Sequence, residues 1–165
     1  MRHTKWKPLG LALFLALLGL QCAPPRKFPS LVKPTQVEVQ GARPLVVKVT
    51  DMQKRPLRPD ELTPPAKAGF FWEYRVKVAN PNDMGVTLDR LRLTVQNLWG
   101  ESWPRNQPLN LALKDWSEVE ISVQAQLASS GPHDQASLTG IETLTFLGRR
   151  DDGTPVSFTV RVPLD

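Results

Sequence analysis

Few side chains of this 165-residue protein are suited to acid–base or nucleophilic chemistry. It contains one cysteine, Cys22, and two histidines, of which only His133 follows Cys22. A hydrolytic triad requires a histidine that is hydrogen-bonded to both a nucleophile and a carboxylate, and Ser129, Ser130 and Asp134 lie close to His133 in the sequence. Serine and aspartate are also common in loops, because their side chains stabilise turns. We therefore predict that the protein has no catalytic residue and is not an enzyme.

The side chains needed to hold a metal ion or a phosphate group are also scarce in the sequence. A structural zinc site takes four ligands, mostly Cys and His, which one cysteine and one histidine cannot supply. The acidic run Asp151-Asp152-Gly153 lacks the further oxygen ligands of a dedicated calcium loop, and Asp-Gly is a favoured hairpin turn. No glycine-rich phosphate-binding loop is present. We predict no metal site and no cofactor.

The tryptophans are the strongest candidates for contact with a ligand. Trp99, Trp103 and Trp116 fall in one part of the chain, with Arg105 among their polar neighbours. An exposed tryptophan beside polar groups can stack on a sugar ring or anchor a protein partner. Alternatively, these side chains fill one end of the core, because tryptophan is highly buried on average. These four residues form the predicted binding site, and burial of Trp99 and Trp103 would contradict a sugar-binding role.

The first part of the chain has the layout of an export signal. Residues 1–8 carry three basic side chains and no acidic one, and Leu9–Leu20 is an apolar run. A basic stretch followed by a short apolar stretch is typical of a secretory signal peptide. A helix that spans a membrane needs about 20 apolar residues, so this run is too short to remain as a permanent anchor by itself.

The apolar run ends near Cys22, and the segment Leu17–Cys22 resembles the lipobox of bacterial lipoprotein signals. It departs from that pattern at Gly19, where leucine is usual, and at Gln21, where a small residue is usual. The resemblance implies that the signal is removed and that Cys22 receives lipid chains such as palmitate; the alternative is a buried free cysteine. Two or more chains hold a protein stably on a membrane. Ala23 resembles the outer-membrane default of Gram-negative lipoproteins, so we expect a cell-envelope protein on the outer membrane, facing the periplasm.

Composition divides the chain into a signal peptide (1–21), a proline-rich tether (22–35) and one domain (36–165). Residues 1–21 contain three basic and no acidic side chains, which leaves 18 basic against 16 acidic side chains in the rest. Nucleic-acid-binding proteins carry a concentrated basic patch, so we predict no nucleic-acid partner. The expected partners are the membrane, through the lipid on Cys22, and a protein or a cell-wall component.

Alternating apolar residues predict seven or eight short antiparallel strands and almost no helix. The clearest pattern is in Phe70–Ala79, where every second residue from Phe70 to Val78 is apolar. In Val86–Gln96 the apolar parity changes at Asp89-Arg90, which indicates a β-bulge. The predicted strands are Gln36–Gln40, Pro44–Thr50, Phe70–Ala79, Val86–Gln96, Leu109–Leu113, Val119–Leu127, Ile141–Gly148 and Pro155–Val162.

Strands at this spacing favour an all-β fold, an Ig-like antiparallel β-sandwich. Residues 51–69 are rich in proline and are predicted to be a long loop with one helical turn at Asp60–Leu62. Residues 97–108 are predicted to be a second loop, which carries Trp99 and Trp103. Long loops in compact domains are often functional, so these two loops are the expected binding elements.

One part of the domain resembles a known family. The segment Val76–Asn82, which contains Asn-Pro-Asn, is followed by the aliphatic Val86–Leu88 and Leu91. This arrangement is similar to the late-embryogenesis-abundant, water-stress type of Ig-like domain, and the closing Phe158–Leu164 is compatible with it. The resemblance implies an Ig-like sandwich with a binding or protective role and no catalytic residues.

Together these features indicate a lipid-anchored cell-envelope protein with a non-catalytic Ig-like domain that binds a protein or an envelope component. The alternative is a carbohydrate-binding module centred on Trp99 and Trp103.

Overall fold

The computed structural model describes residues 43–131 and 137–165 in full, together with the backbone of Thr35–Gln36. The predicted signal peptide, nearly all of the predicted tether, Cys22 and His133 lie outside the described residues. The described chain is almost entirely β-structure, with one 3₁₀ turn at Pro59–Glu61 close to the predicted helical turn. No helix in this part of the chain is long and apolar enough to cross a membrane. The strands are β1 (Thr35–Gln36), β2 (Val46–Pro56), β3 (Ala68–Ala79), β4 (Val86–Asn97), β5 (Ser102–Leu113), β6 (Glu118–Ser129), β7 (Gly140–Arg150) and β8 (Pro155–Leu164).

These strands form two antiparallel sheets that face each other. The larger sheet has the order β1-β8-β7-β4-β5, and the smaller sheet has the order β2-β3-β6. The seven long strands therefore divide into four and three, as in Ig-like sandwiches. The predicted all-β sandwich is confirmed. The smaller sheet is one long strand narrower than the larger one, which leaves part of the larger sheet uncovered at one side.

The core lies between the sheets and follows the predicted alternation. Trp72, Tyr74, Val76 and Val78 of β3 are buried, whereas their neighbours along the strand face outward. Such alternation is expected where one face of a sheet packs on a core and the other faces water. On the opposite sheet, β7 and β8 contribute an aromatic pair whose rings stack at 4.6 Å between centroids, Phe146 and Phe158.

The bulge predicted in β4 is confirmed. The register of β4 with both of its neighbours shifts between Leu88 and Arg90. Leu88 and Leu91 differ in parity, yet both are buried. The extra residue, Asp89, restores the inward orientation of the apolar residues that follow it, which is the structural use of a bulge.

Strands β2 and β5 extend into the two predicted loops, which is a correction to the sequence-based expectation, while residues 57–67 connect two strands and contain the 3₁₀ turn. In the first (51–69), β2 continues to Pro56 after a bulge at Asp51, whose backbone has a left-handed φ of 56°. In the second (97–108), β5 already begins at Ser102. Prolines suggested the first of these loops, but an edge strand tolerates proline because its outer N–H groups have no partner to lose. Both β2 and β5 lie at sheet edges.

Candidate functional site

The three candidate tryptophans do not form one cluster. Trp99 lies in the turn between β4 and β5, Trp103 lies on β5, and Trp116 lies in the turn between β5 and β6. The full length of β5 separates Trp99 from Trp116. Their exposed fractions are 44% for Trp99, 45% for Trp103 and 64% for Trp116. The alternative in which they fill one end of the core is therefore wrong.

Trp116 belongs to a local structure of its own. Its backbone N–H donates to the Asn82 carbonyl at 3.1 Å, and the Arg43 guanidinium lies 5.7 Å from the centre of its indole ring. The same turn is held by Asn80, whose buried amide donates to the Met84 carbonyl at 2.8 Å. The Asn-Pro-Asn segment thus forms the predicted turn. Trp116 lies at this turn, beyond the end of β5, whereas Trp103 lies near the start of that strand.

Trp103 and Arg105 line a groove at the open side of the sandwich, between β5 and β6. The register places Trp103 opposite Val95 and Arg105 opposite Leu93, so both point to the inner side of the larger sheet. They are nevertheless exposed, because the smaller sheet ends at β6 and, among the described residues, no strand lies beneath them. The cavity between the two edges has a volume of about 330 Å³. Its lining residues are Val95, Trp103, Arg105, Gln126, Leu127 and Ala128.

Arg105 ties the two sheets together across this groove. Its Nη2 donates to the backbone carbonyl of Gln124 on β6 at 2.7 Å. The same Nη2 lies 3.5 Å from Oε1 of Glu142, which is on β7. The side chain of Arg105 is 52% exposed, whereas that of Glu142 is fully buried. One side chain therefore joins the wall of the groove to a carboxylate in the core.

Glu142 shares its buried position with Tyr74, which crosses from the smaller sheet. The Tyr74 hydroxyl donates to Glu142 Oε2 at 2.5 Å. Burial raises the pKa of Glu142 from its ordinary value of 4.5 to about 7, although the bonds from Tyr74 and Arg105 act in the opposite direction. Burial also raises the pKa of Tyr74, and the nearby charge of Glu142 raises it further. The Tyr74 hydroxyl therefore stays protonated and remains a donor. A buried acid requires such partners, since removing its charge from water is costly.

This polar layer lies where the core divides. On one side of it is the larger cluster, which includes Leu144 and Phe146. On the other side are Trp72 and Leu127, with Val95 from the floor of the groove. The indole N–H of Trp72 is buried and has no hydrogen-bond partner within the described residues.

Glu142 was not among the predicted site residues, although the sequence contains a signal for it. In β7, Glu142 has the same parity as Leu144 and Phe146, both of which are fully buried. A carboxylate in an alternating apolar series is a buried polar residue, which is more informative than an exposed apolar one. Parity alone could therefore have identified it.

Two further features of the described residues bear on binding. Among the described residues, no group of three or more His, Cys, Asp and Glu side chains could hold a metal ion. A second cavity, of about 480 Å³, adjoins the groove and shares Trp103 and Ala128 with it. Its other walls include Thr63, Ala66 and Glu101.

Comparison with known proteins supports the fold. No family model matches the chain, and neither does any curated protein. The chain is similar to the X-ray structure of Northeast Structural Genomics Consortium target SoR45, with a TM-score of 0.57 and 11% identity over 74% of this chain and 87% of that one. A second match is the crystal structure of the putative ApaA protein from Bordetella pertussis, with a TM-score of 0.47 and 14% identity over 75% of this chain and 92% of that one. The first of these proteins shares the sandwich fold with this chain.

Proposed function

We propose that this protein is a lipid-anchored component of the cell envelope whose sandwich is a non-catalytic domain that binds a partner protein. The observation that carries the binding role is the groove between β5 and β6, with Trp103 on its wall. The anchoring role rests on the export layout of the first residues and on Cys22. Both roles fit together, because a tether of some length would let the domain reach a partner away from the membrane.

The groove has the properties of a binding site. Val95 and Leu127 form an apolar floor, and Trp103 forms a wall that is nearly half exposed. A cavity of about 330 Å³ lies at the lower end of the range of small-molecule pockets and accepts one or two side chains of a partner. Tryptophan and arginine are the residues most often found at the energetic centre of protein interfaces. Trp103 and Arg105 are therefore the expected anchors.

The binding role is tested by crosslinking in intact envelopes followed by pull-down of the protein. The wild-type protein should recover a partner, and Trp103→Ala should reduce the recovery by at least about tenfold, as expected for a central tryptophan. Met52→Ala is a matched control, since it removes another exposed apolar side chain, at the opposite edge of the smaller sheet. Equal recovery by wild type and Trp103→Ala would show that the groove is not the binding site.

The anchor is tested by fractionation of the Cys22→Ser variant. Without the thiol no lipid can be attached, so the variant should leave the membrane fraction while the wild-type protein stays in it. A Cys22→Ser protein that remains bound to the membrane would refute the lipid anchor. It would leave the binding role of the domain untouched.

A carbohydrate ligand is the second candidate, and the exposure of Trp99 and Trp103 favours it. Both side chains are exposed and lie on the same hairpin, formed by β4 and β5. Aromatic rings of this kind stack on sugar rings. Titration of the protein with cell-wall glycan fragments, followed by tryptophan fluorescence, should then give a saturable change that Trp99→Ala weakens. An unchanged spectrum at saturating fragment concentrations would exclude this candidate.

A further inference from the structure

We infer that the free edge of β6, over Ser122–Ala128, is a strand-addition site, at which an extended peptide of the partner pairs with the smaller sheet and places alternate side chains in the groove. This inference rests on the proposed binding role and specifies how binding occurs. In strand addition, main-chain hydrogen bonds give affinity, and pockets for alternate side chains give specificity.

Strand β6 lacks the features that protect the other sheet edges from pairing with a further strand. Exposed edges are normally blunted by proline, lysine, a bulge or a very short strand. β5 carries Pro104 and Pro108, β2 carries a bulge at Asp51 together with lysines, and β1 has two residues. β6 contains no proline and no lysine, and its pairing with β3 runs without a register shift. Its edge therefore keeps the geometry that an added strand needs.

Every second residue of β6 directs its backbone N–H and C=O groups to the free edge. The Gln124 carbonyl accepts a hydrogen bond from Arg105 of the opposite sheet, so it points away from β3. In an antiparallel strand the N–H and C=O of one residue point to the same side, and the side alternates along the strand. Ser122, Gln126 and Ala128 therefore present their N–H and C=O groups to the free edge as well. Within the described part of the chain, β6 pairs with β3 alone.

The larger sheet limits what can pair with the free edge of β6. β4 contacts β6 across the interior of the sandwich, so β5, the next strand of the larger sheet, overhangs the position that an added strand would take. A second copy of this chain, pairing through its own β6, would bring its own larger sheet into the space that β5 occupies. A single extended peptide meets no such obstacle. The occupant is therefore one strand of a partner.

The lining of the groove defines the sequence of this peptide. Side chains directed inward would meet Trp103, Val95 and Leu127, so alternate residues should be apolar. A backbone N–H of the peptide would replace Arg105 as donor to the Gln124 carbonyl. The released guanidinium would then favour an acidic residue on the peptide, because arginine binds carboxylates with two parallel hydrogen bonds.

The test uses a phage-displayed library of random linear peptides, selected against the folded protein. Selected peptides should show apolar residues at alternate positions and an acidic residue among them. Gln124→Pro should weaken their binding by about tenfold or more, since it removes an outward N–H group of β6 and crowds the edge. Asn106→Pro is a matched control on β5, where the outward edge already contains Pro104 and Pro108. It should leave binding unchanged.

Hydrogen exchange of the wild-type protein provides a measurement that does not depend on a variant. Binding of a selected peptide should slow exchange at the amides of Ser122, Gln124, Gln126 and Ala128. Slow exchange of these amides in the free protein would mean that the edge is already paired, and would overturn the inference. Failure to select any peptide, or peptides that bind equally to Gln124→Pro, would also overturn it. If envelope crosslinking still depended on Trp103 in those cases, the proposed binding role would stand without strand addition.

Discussion

Replacement of Glu142 by glutamine should remove a pH dependence that the buried carboxylate imposes on folding. Glu142 is fully buried between the sheets and accepts a hydrogen bond from the Tyr74 hydroxyl. Glutamine has nearly the same shape as a protonated glutamate, and its carbonyl oxygen can accept the same bond. The variant therefore keeps the packing and removes only the charge and its titration.

The magnitude follows from the pKa of Glu142, which burial raises from 4.5 to about 7. The folded protein then binds this proton more tightly than the unfolded chain does. The contribution of Glu142 to the free energy of unfolding is therefore largest below about pH 4.5 and falls as the pH rises towards about 7. Above that range the contribution of Glu142 is constant. Because one pH unit corresponds to about 1.4 kcal/mol, the loss amounts to about 3 kcal/mol.

Urea denaturation of the wild-type protein and of Glu142→Gln across this pH range measures the effect. The difference in the free energy of unfolding between the two proteins isolates Glu142, since all other titrating groups are shared. It should change by about 3 kcal/mol in favour of the variant between about pH 4.5 and pH 8. Glu120→Gln is a matched control, because its bonds to Arg75 and Lys77 outweigh burial and lower the pKa of Glu120, so its difference from the wild type should change only below about pH 4.5 and stay nearly flat above it. A flat difference for Glu142→Gln, or one that favours the wild type as the pH rises, would refute the reasoning.

Three further predictions concern the packing of the larger sheet. Phe146→Ala should lower the free energy of unfolding by about 3 to 5 kcal/mol, because it removes a fully buried ring that stacks on Phe158; the denaturant midpoint should fall with an unchanged slope. Gly148→Ala should lower the melting temperature strongly, since an added Cβ would overlap the backbone carbonyl of Thr87. Gly153→Ala should cost only about 1 kcal/mol, because the site is open and only its left-handed φ of 84° opposes the change. A smaller loss for Gly148→Ala than for Gly153→Ala in thermal denaturation would contradict this reading of the two glycines.

The sequence predicts the strands well wherever a strand has one buried face. β3 and β8 show this best, because burial on one side and water on the other forces their apolar residues to alternate. The N-terminal half of β5 has no such pattern, since Ser102–Pro108 is exposed on both faces. Its strand conformation comes from pairing with β4, a distant contact that local composition does not encode. For this reason the sequence could single out Trp103 and Arg105 as candidate binding residues but could not place them on a strand.

The grouping of the tryptophans failed for a related reason. The predicted loop 97–108 and the short strand Leu109–Leu113 would have kept the three tryptophans in one region, whereas the long strand β5 separates its two ends by about 3.3 Å for each residue. Parity could have identified Glu142 as buried, but not its partners, because Tyr74, Arg105 and Glu142 come from three different strands. Tyr74, Glu142 and Arg105 are distant in the sequence, and only the facing of the two sheets brings them together.

Position 105 shows how the uneven width of the two sheets shapes this site. The residue points inward, so a sandwich with equal sheets would place an apolar side chain there. Without a covering strand, an apolar residue would instead be exposed to water. Arginine suits both conditions, because its stem lies along apolar surface while its guanidinium remains in contact with water. The bonds of Arg105 to Gln124 and Glu142 then close the gap between the sheets. Because Arg105 is half exposed, its bond to the Gln124 carbonyl can be replaced at small cost, while the buried Glu142 keeps the hydrogen bond from Tyr74. The hydrogen bond from Arg105 to Gln124, which bridges the groove in the free protein, can therefore be replaced when a strand of the partner enters.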